Sequence, residues 1–163
     1  MLIRYMDNYN SKIMLSTNVI KDAFKYIKSD SKILIFRLGH DSKMWYCGNI
    51  NTYFVEDNDE YLKLNSSIIP DSNIIKYQYN NISVNSSIDM NDATINKFII
   101  PQKLVKLGPF DLIIIDGLSG FNPDKPGRLI PYYWVSKLSK KGTIIYRDDF
   151  DRKLEKYCVN NFK

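Results

Sequence analysis

The strongest structural signal lies in residues 32–42, KILIFRLGHDS, and residues 53–57, YFVED. The first stretch predicts a buried strand, then a turn centred on Gly39 and the start of a helix. The second predicts another strand, which ends in Glu56 and Asp57. This order is typical of a Rossmann-type βαβ unit that holds a nucleoside. The glycine turn lets the backbone approach the ligand, and an acid at the tip of the second strand accepts hydrogen bonds from ribose hydroxyls.

The spacing within this unit also indicates the kind of cofactor. Glu56 follows Gly39 by 17 residues, close to the roughly 20 that a nucleoside-binding unit predicts. The seven glycines of the chain form no Gly-x-Gly-x-x-Gly pattern, so a loop that cradles a pyrophosphate is not expected. A nucleoside without phosphates fits better. The common one is S-adenosyl-L-methionine, with Glu56 as the partner of its ribose.

Composition is that of an ordinary globular protein. The chain has 163 residues, 44% of them hydrophobic and 25% charged, which predicts a single domain over residues 1–163. One histidine and two cysteines make a structural zinc site or a disulfide framework unexpected. No apolar run is long enough to span a bilayer and no signal peptide is recognisable, so we expect a cytoplasmic protein without a membrane partner. The net charge of +5 favours an acidic partner.

Strand and helix patterns alternate along the chain, which predicts an α/β fold: a Rossmann-like sheet of about five mostly parallel strands flanked by helices. The predicted strands are 32–38, 53–56, 74–79, 110–116 and 143–146. The predicted helices are 15–28, with Ser16 or Thr17 as N-cap, 42–47, 59–64, 129–138, whose end Gly142 marks, and 152–160. Residues 80–109 give the weakest pattern, rich in Asn and Ser to Asp92 and then helical to Lys106, with an interruption at Pro101.

Polar side chains follow four of the predicted strands. Ligands of open α/β sheets bind beyond the carboxyl ends of the strands, so these groups are expected to share one functional rim. They are Gly39-His40-Asp41-Ser42, Glu56-Asp57, Asp116-Gly117 and Asp148-Asp149.

Several of these residues keep two interpretations. Asp41 and Ser42 stand where a helix begins, so each is either a ligand contact or a plain N-cap. His40 is either a general base, since its ordinary pKa lies near neutrality, or a residue that shapes the turn. Trp45 is expected to pack in the core, with stacking on a ligand as the alternative.

The loop 116–128 and the segment 148–152 carry the remaining charged candidates. Arg128 ends a loop of three glycines and two prolines, and its planar fork suits a carboxylate or phosphate, with a surface salt bridge as the alternative. Asp148, Asp149 and Asp151 lie beside Arg152. Close carboxylates raise one another's pKa and supply a general base, or they form a local cap. We assign no metal site, although oxygen ligands of this kind would suit a weakly bound divalent cation.

Five short blocks, taken together, resemble the plant glucuronoxylan 4-O-methyltransferase family, also described as a xylan or polysaccharide biosynthesis domain. The blocks are Leu38-Gly39-His40-Asp41-Ser42 with Trp45, Phe54-Val55-Glu56-Asp57, Asp116 with Gly120-Phe121 and Pro123, Pro126-Gly127-Arg128, and Asp149-Phe150-Asp151-Arg152 with Glu155-Lys156. The resemblance runs from about residue 14 to the C-terminus, with a weak middle.

The resemblance implies methyl transfer from S-adenosylmethionine to a sugar hydroxyl, in the family the 4-hydroxyl of a glucuronic acid residue. Its implied partner is a sugar or glycan acceptor that contains uronic acid. The implied cofactor-binding residues are Gly39, His40, Asp41, Ser42, Glu56, Asp57 and Asp116. Asp116 and Asp149 are the implied catalytic residues. Arg128, Asp151 and Arg152 are assigned to the substrate.

The sequence departs from the family pattern in four respects. Arg37 stands where the family has the first glycine of Gly-Leu-Gly, and Asp148 where it has a histidine. The chain also ends before the C-terminal strands of the family, which leaves a sheet edge open and makes self-association a possibility. The membrane anchor of the plant members is absent, which argues against a Golgi location.

Two other functions remain open at this stage. Arg37, Asp148 and the short C-terminus are features of a degenerate, non-catalytic homologue that serves as a binding or assembly module. The basic charge suggests a nucleic-acid methyltransferase, but the sequence shows no clear basic stripe with interleaved aromatics, so a nucleic-acid partner is not expected.

Overall fold

A computed structural model describes residue 13 and residues 15–79, 82–88, 90, 92–118 and 120–162. The strands are β1 (Ile33–Phe36), β2 (Thr52–Glu56), β3 (Ile74–Lys76), β4 (Phe110–Ile115) and β5 (Ser139–Arg147). The helices are α1 (Thr17–Phe24), α2 (Ser42–Gly48), α3 (Asp59–Asn65), α4 (Val84–Ile88), α5 (Asp92–Ile95), α6 (Gln102–Leu107), α7 (Leu129–Leu138) and α8 (Lys153–Asn161), and a 3₁₀ turn spans Asp71–Asn73.

The five strands form one sheet in the order β3-β2-β1-β4-β5, and each neighbouring pair is parallel. Ile33 at the start of β1 lies opposite Thr52 of β2 on one side and Leu112 of β4 on the other. The carboxyl ends of all five strands therefore lie at one edge of the sheet. The predicted Rossmann-like α/β fold is confirmed.

Alternate residues of the central strand face two separate apolar cores. Leu34 and Phe36 pack into a core with Trp134 of α7, whereas Ile33 and Ile35 pack into a core with Trp45 of α2. A parallel strand whose two faces are covered must be apolar on both sides, and this explains the uninterrupted run ILIF of β1. Both faces of the sheet are thus closed by helices, and its carboxyl edge remains for a ligand.

Several predicted boundaries differ from those of the structure. Strand β1 covers only Ile33–Phe36 of the predicted 32–38. Helix α1 covers only Thr17–Phe24 of the predicted 15–28, with the Ser16 hydroxyl capping it by accepting from the Val19 N–H. Strand β3 stops at Lys76 because Lys76 pairs with Glu56, where β2 ends. Strand β5 begins directly after α7, so Gly142 lies inside the strand, with φ +93°, and does not mark the helix end.

The segment that gave the weakest pattern contains three short helices, α4, α5 and α6, among its described residues. Pro101 immediately precedes α6, where a missing N–H has no cost. None of the helices in the described part of the chain has the length and apolar character that a membrane span requires.

The burial difference between β4 and β5 gives a first prediction. Ile113 is fully buried at the centre of the sheet, whereas Ile145 on the outer strand is only partly buried. We expect Ile113→Ala to lower the free energy of unfolding by about 3 kcal/mol or more and Ile145→Ala by less than about 2 kcal/mol, since the cost scales with the cavity that is left. Urea unfolding of the two variants measures this difference. Equal losses would contradict the assignment of β4 to the interior.

Candidate active site

Two cavities open side by side at the carboxyl edge of the sheet. The first, which we call the β2 cavity, has a volume of about 460 Å³ and is lined by residues that include Glu56, Asp57, Tyr79 and Lys125. The second, the β1 cavity, has a volume of about 330 Å³ and is lined by Ile35, Gly39, His40, Asp41 and Asp116 together with two shared residues. Arg37 and Tyr61 line both cavities. Of the residues predicted to share the rim, Gly39, His40, Asp41, Glu56, Asp57 and Asp116 line these cavities, whereas Ser42, Gly117, Asp148 and Asp149 do not.

Arg37 lies between the two cavities. Its Nη2 donates a hydrogen bond to the Tyr61 hydroxyl at 3.0 Å, and its guanidinium carbon lies 5.1 Å from the centre of the Tyr61 ring. The backbone of Arg37 has φ +107°, a conformation that glycine adopts readily and that is strained for a residue with a side chain. The glycine-like geometry that the family pattern implies is thus retained here with an arginine.

Glu56 ties the β2 tip to the turn after β1. Its Oε2 accepts from the Leu38 N–H at 2.6 Å, and its Oε1 accepts from the N–H groups of Asp57 at 2.9 Å and Asn58 at 2.7 Å. Burial raises the pKa of Glu56, although these backbone donors favour its charged form. Glu56 thus holds the two turns that border the cleft. Its contact with a ribose stays a prediction, and that contact would use the same carboxylate oxygens that accept these backbone hydrogen bonds.

The turn after β1 is held by its own side chains. The Ser42 hydroxyl accepts from the Gly39 N–H at 2.7 Å, and Asp41 accepts from the indole N–H of Trp45 at 2.9 Å. Asp41 occupies the N-cap position of α2 but makes no capping hydrogen bond with its side chain. Trp45 is buried and stacks on Phe24, as expected for core packing. Ser42 thus holds the turn, and Gly39, His40 and Asp41 line the β1 cavity, which Ser42 does not.

Asp116 is the carboxyl with the most altered acidity at the rim. Burial, the nearby charges of Asp41 and Asp148, and a hydrogen bond with Asp148 raise the pKa of Asp116 to about 7, against the opposing influence of Arg37. The side chain is partly buried and lines the β1 cavity. A carboxyl with this pKa exchanges protons near neutral pH, which is the property that a general base requires.

Arg128 is buried beneath the rim, with 3% of its side chain exposed. Its Nε donates to the Gly117 carbonyl, its Nη1 to the Asp148 carbonyl and its Nη2 to the Asp116 carbonyl, at 3.0, 2.7 and 3.2 Å. Nη2 also donates to Asp149 Oδ2 at 2.9 Å. The geometry gives Arg128 a structural role in joining two loops. It offers no support for the predicted contact with a substrate carboxylate.

The acidic segment after β5 forms ion pairs with two arginines. Asp149 Oδ2 accepts from both Arg128 and Arg152, at 2.9 and 2.7 Å. Asp149, Asp151 and Arg152 are not among the residues that line either cavity. Among the described residues, no group of three or more acidic, histidine or cysteine side chains could hold a metal ion. Of the two predicted catalytic carboxyls, the structure brings only Asp116 into the cleft.

The sequence reasoning missed several cleft residues, among them two tyrosines and a lysine. Tyr61 lies on α3, Tyr79 lies beyond the end of β3, and Lys125 belongs to the loop after β4. None follows a strand end directly, so the rule that located the rim could not find them. The positive φ of Arg37 had a sequence signal, because the resemblance placed a glycine at that position.

The raised pKa of Asp116 makes the stability of the protein depend on pH. Below about pH 4 the carboxyl is protonated in both the folded and the unfolded chain. As the pH rises from there towards 7, the unfolded chain releases this proton before the folded chain does, so the free energy of unfolding decreases. We expect Asp116→Asn to match the wild type at pH 4 and to exceed its free energy of unfolding by at least about 1 kcal/mol at pH 8. Asp30→Asn, which removes an exposed carboxylate, is the control for net charge. An equal effect of Asp116→Asn at both pH values would contradict the raised pKa.

The two arginines that share Asp149 differ in burial, and this gives a matched pair of variants. Arg128→Lys leaves buried carbonyls unpaired and should cost about 3 kcal/mol or more of unfolding free energy. Arg152→Lys changes a side chain that is 31% exposed and should cost less than about 1 kcal/mol. Urea unfolding at neutral pH measures both values. Similar losses would show that the buried network around Arg128 does not anchor the rim.

Comparison with known proteins finds two similar curated proteins. Over 99% of its length the chain is 25% identical to Protein IRX15-LIKE of Arabidopsis thaliana, of which it covers 60%. Over 78% of its length it is 26% identical to Glucuronoxylan 4-O-methyltransferase 1 of Arabidopsis thaliana, of which it covers 53%. The chain thus spans between a half and two thirds of the length of these relatives. No family model and no solved structure matches it. The resemblance inferred from the sequence is confirmed: this chain is similar to proteins of the glucuronoxylan 4-O-methyltransferase family.

Proposed function

We propose that this protein is an S-adenosylmethionine-dependent O-methyltransferase that acts on a sugar hydroxyl. The observation that carries the proposal is Asp116, a carboxyl with a pKa of about 7 in the wall of a cavity at the carboxyl edge of a parallel sheet. The name of the relative Glucuronoxylan 4-O-methyltransferase 1 supports the reaction class.

The cleft suits the two ends of the proposed cofactor. In the β2 cavity, Glu56 and Asp57 lie at the strand tip from which an acid binds ribose hydroxyls, and the Tyr79 ring offers an apolar wall for an adenine. In the β1 cavity, Asp41 and Asp116 offer negative charge to amino and sulfonium groups. When bound, S-adenosylmethionine supplies a methyl group made electrophilic by a positively charged sulfur.

Asp116 is the proposed general base. Its carboxylate accepts the proton that the sugar hydroxyl loses as the hydroxyl oxygen bonds to the methyl carbon. Its main-chain carbonyl accepts a hydrogen bond from the buried Arg128 at 3.2 Å, which holds the backbone of Asp116 in position. Asp149 is the weaker candidate, because both arginines beside it already bind its Oδ2.

We propose a uronic-acid-containing glycan as the acceptor. Lys125 is exposed and lines the β2 cavity, and Arg152 is 31% exposed beside the loop after β5. Both are cations that a uronic carboxylate could reach from solvent, and the net charge of +5 attracts such a polymer. Arg128 takes no part in this contact because its donors bind the protein itself.

One observation favours a second function, that of a binding module without catalysis. Arg37 crosses between the two cavities and binds Tyr61. A ligand that occupies both cavities must share this space with the guanidinium. The two functions differ in a single outcome, since only the enzyme moves a methyl group to a glycan.

Transfer of tritiated methyl groups from S-adenosylmethionine to glucuronoxylan oligosaccharides tests the proposal. We expect labelled glycan, with a rate that falls about tenfold for each pH unit below 7, because the basic form of Asp116 decreases in that proportion. Asp116→Asn should lower the rate by about 100-fold or more. Asp30→Asn should leave the rate unchanged, because Asp30 is exposed and precedes the amino end of β1, opposite to the rim.

Two results would contradict the proposal in different ways. Labelled glycan at an undiminished rate with Asp116→Asn would remove Asp116 from the reaction. If no glycan in a panel of uronic and neutral glycans is labelled, and circular dichroism shows that the protein is folded, the enzyme hypothesis is wrong. The hypothesis of a binding module without catalysis then remains.

A further inference from the structure

The Arg37–Tyr61 pair divides the cleft at the position where a single ligand would have to cross it. Both residues line the β1 cavity and the β2 cavity. The guanidinium is held on the tyrosine by a hydrogen bond of 3.0 Å and by its position 5.1 Å from the ring centre. A charged group on an aromatic face is attracted by the electrons of the ring, so the pair is a stable partition.

The backbone of Arg37 cannot shift easily to move the side chain aside. The Arg37 N–H donates to the Val55 carbonyl at 2.8 Å, and the next N–H, of Leu38, donates to Glu56 at 2.6 Å. On the other side, a Cβ added at Gly117 would overlap the Arg37 Cβ and the Phe36 carbonyl. The strained φ of +107° is therefore enforced by β2 and by the loop after β4. Opening the partition requires rotation of the side chain.

The guanidinium also supplies positive charge to an acidic cleft. Asp116 and Glu56 both lie near enough to Arg37 to interact with its charge. Asp41 also interacts with it, from the wall of the β1 cavity. A cation close to these three carboxylates is stabilised by electrostatic attraction, and the Arg37 guanidinium is already such a cation.

We propose that Arg37 is a specificity-determining residue, whose guanidinium takes the place of a ligand cation and biases the cleft towards nucleosides with a neutral sulfur. This inference rests on the proposed function, because it concerns the same cofactor cleft. Removal of the Arg37 guanidinium should raise the affinity for S-adenosylmethionine, which carries a sulfonium, more than the affinity for S-adenosylhomocysteine, which carries a neutral thioether. The wild-type protein thus discriminates against the methyl donor and in favour of its demethylated product.

Isothermal titration of both nucleosides into the wild type, Arg37→Gly and Arg37→Lys tests this inference. Glycine accepts φ +107° without strain, so Arg37→Gly should fold with a melting temperature no lower than that of the wild type. We expect S-adenosylmethionine to bind Arg37→Gly at least about tenfold more tightly than the wild type. The ratio of its affinity to that of S-adenosylhomocysteine should rise at least about threefold. Arg37→Lys keeps the charge and should keep the wild-type ratio.

The outcomes separate this inference from the proposed function. A rise in the ratio of less than threefold with Arg37→Gly, while both proteins bind the nucleosides, overturns the role of Arg37 and leaves the proposed function intact. A ratio that rises equally with Arg37→Lys also overturns it, since the charge is then irrelevant. If neither folded protein binds either nucleoside, the proposed cofactor is wrong and the inference fails with it. Arg37→Asn, an uncharged residue that tolerates positive φ, replaces the glycine variant if that variant does not fold.

Discussion

The rim of this molecule depends on one buried guanidinium. The Arg128 side chain is almost completely buried. It donates hydrogen bonds to the carbonyls of Asp116, Gly117 and Asp148 and to the carboxylate of Asp149. These residues belong to the loops that follow β4 and β5, whose parallel pairing ends at Ile115 and Arg147. Just past these residues the Asp148 N–H still donates to the Ile115 carbonyl at 3.1 Å. From there the planar guanidinium, with its several donors, joins the two loops.

The same loop is fixed from its other side by close packing. Gly117 lies against the end of β1, where a Cβ would overlap Phe36 and Arg37. Asp116 is therefore held between Arg128 and β1, next to Asp41 and Asp148, in a position that raises its pKa to about 7. Its acidity is thus a consequence of how the backbone is anchored. A group held in this way needs little reorganisation when a proton is transferred.

Much of the fold, and part of the cleft, could be predicted from the sequence. The apolar runs of β1 and β4 carry enough information to place them at the centre of a parallel sheet, and the parallel arrangement then brings Glu56 and Asp116 to one edge. Arg128 could not be interpreted in the same way, because its local sequence does not say whether the fork turns outward to a ligand or inward to carbonyls. Tyr61 and Lys125 reach the cleft from α3 and from the loop after β4, and such contacts are set by tertiary packing.

The structure of the protein crystallised with S-adenosylhomocysteine tests most directly the claim that the two cavities form one cofactor cleft. We expect the ribose hydroxyls within hydrogen-bonding distance of Glu56 or Asp57, and the homocysteine portion in the β1 cavity beside Asp116. Arg37 should be rotated away from Tyr61, because the ligand must pass between the cavities. A nucleoside bound elsewhere, with both cavities empty and the Arg37–Tyr61 contact intact, would contradict the account.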